Sequence, residues 1–457
     1  MADNKSKIDV PIGPPTDYGS RDTIINEVKA DDGYDNYNPV EHRNLKNATT
    51  DFGSAAHVLK SSLGTGLIAM PNAIKNAGLI VGGISTVIVG IICAHAVHIL
   101  IKSSQVACKR TRSPKLTYAE TAESVFKTGP KGVRFLSSFS RSFVNVLLCV
   151  TYIGAVCVYI VFVSTTVQQL MEYYTGVNIP IRLYILTTFP TILVLGQIRN
   201  LRALVPLSTL ANLSILIALA ITYYYIFEDL QPISSVKMVN SIENFPKFLA
   251  IVVFAIEGVG VVLPVENNMR NPSHFLGCPS VLNVTMTIII TLYTLTGVFG
   301  YLRYGDKTEA TITINLDTRQ IPAQMVKMLM GLVILYTYGL QFYVPTEIIK
   351  NGVQGYFSAR YKSIVQTCIR FLLVLCTLII ALLVPDLDPF ISLVGSLCFS
   401  VLGIAVPAII ETVSCWEHHL GTLKWRLWKN VLMVIFSLFA LIFGAWVSLQ
   451  EIIALYK

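Results

Sequence analysis

The sequence predicts an all-α polytopic membrane protein of eleven transmembrane helices, the first and sixth of them broken. Three observations carry this reading: composition, a regular succession of apolar stretches, and glycine pairs in the middle of two of those stretches. Of 457 residues, 53% are hydrophobic and only 14% are charged, whereas a soluble domain carries about 25% charged residues. Stretches of about 20 apolar residues, the length that crosses hydrocarbon, recur from residue 52 to residue 454. The run Leu63-Gly64-Thr65-Gly66-Leu67 interrupts the first and Gly258-Val259-Gly260 the sixth.

Taken in order, residues 1–50 form a mixed-charge tail containing Pro and Gly, with no apolar core of signal-peptide length. The tail is therefore expected to be flexible and cytosolic, and the first span to act as the targeting signal. Within it Tyr37-Asn38-Pro39-Val40 matches a tyrosine-plus-bulky-residue sorting pattern, a match short enough to arise by chance. The membrane domain, 51–457, is marked off into spans at roughly 52–77, 79–107, 135–174, 181–198, 204–227, 246–269, 279–302, 322–349, 364–385, 388–411 and 430–454. The long connection after the second span holds Thr117–Phe126, which reads as a short capped surface helix, while 351–362 and 412–427 read as polar connections.

The formal net charge is +8, but the basic residues are dispersed among short loops and do not form the concentrated face that nucleic acid requires. Their distribution reports orientation. One set of loops contains Lys109, Arg110, Arg112, Lys115, Lys127, Lys131 and Arg134, then Arg199 and Arg202, Arg270, Arg360 and Lys362, and finally Lys424, Arg426 and Lys429. The opposite set holds mainly Arg182, Lys237, Lys307 and Arg319. The positive-inside rule then places the N-terminus in the cytosol and, by odd parity, the C-terminus outside or in a lumen. The glycosylation tripeptides at Asn212 and Asn283 fall inside spans and are expected to stay unmodified.

The two breaks are the candidate binding site. Glycine weakens a helix by roughly 1 kcal/mol per residue relative to alanine, and unwound backbone at membrane depth persists only where it lines a cavity or is buried in protein. A zwitterionic amino acid needs a positive feature for its carboxylate and a negative one for its ammonium, and helix ends supply both as partial charges. Unwinding at Gly64-Thr65-Gly66 exposes the amides that start the second half-helix, and Thr65 adds a hydroxyl. The sixth span breaks just after Glu257, so carbonyls of the preceding half-helix, with the Glu257 carboxylate, can face the ammonium. Phe254, Glu257, Gly258 and Gly260 join Gly64, Thr65 and Gly66 as the expected substrate-binding residues. The competing reading is that these small residues only let helices pack closely; the pairing of breaks at the start of each half argues for a site.

His57 and Glu257 are the expected proton-coupling residues. The unperturbed pKa of histidine, about 6.5, lets it change charge across mildly acidic pH, and a carboxylate inside a span is costly unless partnered or protonated. A solvated interface role for His57 and an interhelical hydrogen-bonding role for Glu257 are the alternatives. Lys75, Glu266, Arg303, Glu347 and Asp386 lie near span ends, where snorkelling accounts for them. Most of the nine cysteines, Cys93, Cys149, Cys157, Cys368, Cys376 and Cys398 among them, fall inside spans as small apolar fillers. His95 and His98 share a helix face without a cysteine or carboxylate nearby, so neither a metal site nor a cofactor is expected.

At these residues the chain resembles the proton-coupled amino acid transporters of the amino acid/auxin permease family. The matching blocks are His57 with Leu59-Lys60, Gly64-Thr65-Gly66-Leu67, Pro71 and Ala73-Ile74-Lys75-Asn76-Ala77-Gly78; then Ile198-Arg199-Asn200-Leu201-Arg202-Ala203-Leu204; then Glu257-Gly258-Val259-Gly260 with Leu263-Pro264-Val265-Glu266-Asn267; then Gln341-Phe342-Tyr343-Val344-Pro345; and Ile391-Ser392-Leu393-Val394-Gly395-Ser396. The resemblance runs from about residue 42 to the C-terminus. It implies the 5+5 inverted-repeat architecture of the bacterial leucine transporter, with repeat one at about 52–227, repeat two at about 246–411 and an extra helix at about 430–454. It also implies symport of small neutral amino acids such as glycine, alanine and proline with a proton, His57 matching the first-span histidine implicated in coupling. Ser61-Ser62 stand where relatives often show a glycine-asparagine pair, and the loops near 175–182 and 305–320 lack the cysteines that vertebrate members pair, which points to an invertebrate-like branch.

The partners expected are thus small neutral amino acids, protons and the lipid bilayer, in a plasma, lysosomal or endosomal membrane. A facilitative, uncoupled transporter and a lysosomal amino acid sensor are the alternatives, although a sensor would be expected to carry a long structured tail. An enzyme would need a nucleophile with its base, or a metal cluster, at membrane depth.

Overall fold

The computed structural model describes residues 37–43, 48–199, 205–256, 258–353, 357, 361–416 and 420–456. Regular structure in them is helical apart from one isolated bridge between Thr49 and Met269. Nine of the helices among the described residues are long and apolar enough to cross a membrane, and Ile181–Gly196 is a shorter apolar helix. The first span is divided into two pieces, each too short to cross alone. The count of eleven rests on the sequence.

The first span is α1 (Asp51–Ser62) and α2 (Thr65–Ala77). Thr50 starts α1 by accepting the Gly53 amide on its hydroxyl. Near its other end Ser61 and Ser62 both turn their hydroxyls back onto the Val58 carbonyl, at 2.8 and 3.3 Å. α2 stops at Gly78, whose φ of +89° only glycine adopts freely, and where a Cβ would lie 2.7 Å from the Met238 carbonyl oxygen.

α3 (Leu79–Thr111) leads into α4 (Tyr118–Thr128), the short capped helix expected at 117–126; Thr117 and Glu120 form a reciprocal capping box. There follow α5 (Ser137–Thr175), α6 (Ile181–Gly196) and α7 (Val205–Glu228). The sixth span is α8 (Phe245–Ile256) and α9 (Val259–Asn267). The rest are α10 (Val281–Tyr304), α11 (Ile321–Val353), α12 (Lys362–Leu383), α13 (Leu387–Cys415, π-helical over Gly395–Phe399 and Val401–Ala405) and α14 (Trp425–Ala454). α11 runs on to Val353 and α13 to Cys415, so the polar connections after them are shorter than their sequence suggests.

The broken helices occupy the centre. α8 is buried from Pro246 to Ile256, and α2 from Thr65 to Ile74. Small residues let their backbones approach neighbours closely: Gly297 and Gly300 of α10 fit against Met70, Pro71 and Ile74 of α2, Gly395 of α13 sits on the Ala250 carbonyl of α8, and Gly66 meets Ala255. Helices around this centre turn apolar side chains outwards, such as Ile84, Ile88 and Ile91 on α3, Leu213 and Leu216 on α7, and Leu432, Ile435 and Trp446 on α14. Continuous apolar exposure on this scale is what lipid covers.

Candidate functional site

Because α1 ends at Ser62 and α2 starts only at Thr65, the chain at Leu63 and Gly64 is non-helical, with Leu63 in an extended conformation. The N-cap of α2 is Gly64, which offers no side-chain cap, so the first amides of α2 keep their hydrogen-bonding capacity for whatever occupies the space in front of them. A helix N-terminus also carries a partial positive charge there. On the α1 side of the break, the carbonyl of Ser62 accepts the hydroxyl of Tyr293 from α10, which satisfies one orphan at this helix end.

The second break mirrors this. α8 ends at Ile256, Gly258 caps α9, and the Gly258 carbonyl accepts the amides of Val261 and Val262 at 2.9 and 3.3 Å. The last carbonyls of α8 thus end facing the break with a partial negative charge.

A cavity lies between the two breaks. Gly64, Thr65 and Gly66 line it from the first span and Phe254, Ala255, Gly258 and Gly260 from the sixth. Of the expected substrate-binding residues, all those the structure describes therefore come together here; Glu257 lies outside the described residues. His57 does not reach the cavity: it sits on the exposed side of α1, beside Phe52 and Ala56.

The cavity also has walls that the sequence did not single out. Tyr152, Ala155 and Tyr159 enter from α5, Gln341 from α11 and Phe399 from the π-helical part of α13, with Ser61 and Ser62 at the edge on α1. Phe254 and Phe399 meet edge-on, 5.6 Å between ring centroids at 83°, and form one apolar wall. The Tyr152 hydroxyl lies directly against Gly260, where a Cβ would collide with it. The signal for Gln341 was present, since it heads one of the resembling blocks; Tyr152 and Tyr159 are aromatic residues in an apolar span and look like ordinary core.

Two charged groupings flank the cavity. At the outer ends of α2 and α8, the Lys247 ammonium bonds Asp388 at 2.8 Å and Glu451 at 2.7 Å, while Asn72 donates to Asp388 at 2.6 Å. This joins both broken helices to α13 and α14. At the opposite end, Glu266 of α9 is 2% exposed and pairs with Arg43 at 3.2 Å. Glu266 is therefore no snorkelling residue: it is held inside the protein by a partner from the tail. Among the described residues no group of three or more metal-ligating side chains occurs.

Residues 48–450 match the family described as transmembrane amino acid transporter protein. The chain is 38% identical over 421 residues to the proton-coupled amino acid transporter-like protein pathetic of Drosophila melanogaster, covering 92% of this chain and 89% of that protein. It is 27% identical over 425 residues to the amino acid transporter AVT3C of Arabidopsis thaliana, covering 88% of this chain and 91% of that one. Among solved structures, the inward-facing conformation of Mhp1 superposes with a TM-score of 0.51 over 92% of each chain at 13% identity, a likeness of fold.

Proposed function

The chain belongs to the transmembrane amino acid transporter family, and on that premise we propose that this multi-pass integral membrane protein moves small neutral amino acids, of the glycine, alanine and proline type, by proton symport with alternating access. The observation that carries the proposal is the cavity at the two breaks. Amides at the start of α2 face it from one side and the carbonyl end of α8 from the other, the arrangement that a carboxylate and an ammonium on one α-carbon require. Size supports the substrate class. The cavity volume is about 60 Å³, room for only a small ligand. Phe254 and Phe399 favour an apolar side chain, and no described lining residue carries a formal charge that would select a cationic or anionic one.

Substrate-evoked currents in oocytes, with and without a proton gradient, test both parts. Glycine, alanine and proline should evoke inward current that grows as external pH falls, and arginine and glutamate should not; strong currents with the charged amino acids would overturn the substrate class. The position of His57 on the exposed side of α1 favours a second reading, uncoupled facilitation. Currents that do not change with the proton gradient would favour facilitation, and His57→Ala tests whether His57 is the coupling group. If His57 takes up the driving proton, the variant loses stimulation by mildly acidic pH, while Glu257→Gln mainly weakens substrate affinity by removing a negative partner of the ammonium. Unchanged pH dependence in His57→Ala at equal surface abundance rules out His57 as the coupling group.

A further inference from the structure

We propose that the cytosolic end of α3, with the adjoining ends of α13 and α14, holds the headgroup of an anionic phospholipid, whose acyl chain lies along the apolar row of α3. The binding is separate from transport, and its assignment to the cytosolic leaflet follows from the loop charges.

One face of α3 changes character along its length. Ile84, Ile88 and Ile91 recur at helical spacing and are exposed, as a lipid-facing row must be. The same spacing continues through His95, His98 and Lys102, which are half-buried. Ionisable side chains are costly in hydrocarbon, so the polar end of this row belongs at the level of the headgroups. The ends of α13 and α14 set that level. Exposed Trp416 follows α13, and exposed Trp425 and Trp428 open α14, as in the aromatic belt at a membrane interface. Glu411 and Lys429 each lie about one helical turn inside those tryptophans.

Lys429 joins the three helices. Its ammonium donates to the His95 ring nitrogen Nε2 at 2.8 Å and to the Glu411 carboxylate at 2.7 Å. A ring nitrogen that accepts from an ammonium carries no proton, so His95 is uncharged in this arrangement. The His98 ring lies parallel to that of His95, 6.3 Å away. Arg426 bonds the Cys415 thiol, and Arg426 and Lys429 stand 5.9 and 5.6 Å from the Trp425 ring. Lys102 lies within electrostatic reach of both His98 and Cys415 and has no ion-pair partner among the described residues.

Three cations, Lys102, Arg426 and Lys429, thus gather around one carboxylate, Glu411, which is already engaged. An ion pair that only tied helices together would need Lys429 and Glu411 and would leave the other two cations without a role. Like charges held close repel, and a phosphate placed among them turns that cost into charge-assisted hydrogen bonds. The excess of cations suits a headgroup with more than one negative charge, and basic pockets between helices on the cytosolic side are where such headgroups bind. A soluble anion would use the cations alone. A phospholipid uses the cations and the isoleucine row together.

Native mass spectrometry of the full chain, purified in detergent and titrated with phosphatidylinositol 4-phosphate, reads bound lipid directly and needs no amino acid. One copy should be held more tightly than phosphatidylcholine. Lys102→Ala and Arg426→Ala should each weaken that copy about fivefold, the equivalent of about 1 kcal/mol per cation near the headgroup. Lys362→Ala, which removes a cation at the cytosolic end of α12, should leave it unchanged. Glu411→Gln should tighten it about fivefold, a gain that misfolding cannot mimic, while the Asn430 amide, 3.0 Å from the Thr412 hydroxyl, still ties α14 to α13. Equal weakening by Lys362→Ala would mean diffuse attraction to basic loops. Soluble inositol phosphate bound as tightly as the lipid would mean an anion site that makes no use of the acyl chain. Either result, or unchanged affinity in the Lys102, Arg426 and Glu411 variants, would overturn the proposal.

Discussion

Gly66 and Gly258 stand at equivalent breaks but in different surroundings. A Cβ at Gly66 would lie 2.5 Å from Ala255 Cα, so this glycine brings α2 against α8, whereas Gly258 has no neighbour nearer than 3.7 Å. Gly258→Leu should therefore abolish uptake at normal membrane abundance by filling the cavity, while Gly66→Leu should lower abundance as well, since it drives a side chain into backbone. Surface labelling alongside uptake separates the two; normal uptake in Gly258→Leu would show that the cavity is not the binding site. The glycines were legible because a flexible pair inside an apolar run contradicts the helix around it. The tyrosines of α5 and Phe399 were not, since inward direction on a helix is set by neighbours that sequence alone does not place. Glu266 was misread for the same reason: its partner is 223 residues away.

At the level of elements, span boundaries were readable within a few residues because hydrocarbon thickness sets their length. The joins between helices were not. Lys247, Asp388 and Glu451 come from three helices, and 141 and 204 residues separate Lys247 from its two partners. Lys247 keeps 7% exposure, its partners 27% and 38%. Removing one partner of a fully buried pair costs about 3–5 kcal/mol, a figure that the partial exposure of the two carboxylates reduces. Lys247→Ala should thus lower the melting temperature in detergent by a few degrees and loosen the outer ends of α2 and α8 from α13 and α14. An unchanged melting temperature would mean that Lys247 is not what joins them.

For the molecule as a whole, sidedness follows from loop charge and is open to a direct test. Asn178 and Asp317 are exposed at one end of the helices and Ser113 is part-exposed at the other. Cysteines at Asn178 or Asp317 should react with an impermeant thiol reagent added outside intact cells, and one at Ser113 should not; the reverse pattern would overturn the topology. The broken helices also bear on how such proteins diversify. If the charged ends of a substrate are met by main-chain amides and carbonyls, that half of recognition is encoded by where helices stop, so substitutions away from the glycines of the breaks cannot readily erase it. Residues such as Tyr152, Gln341 and Phe399 are then free to drift, and a lineage can exchange one amino acid cargo for another without ever losing the grip common to them all.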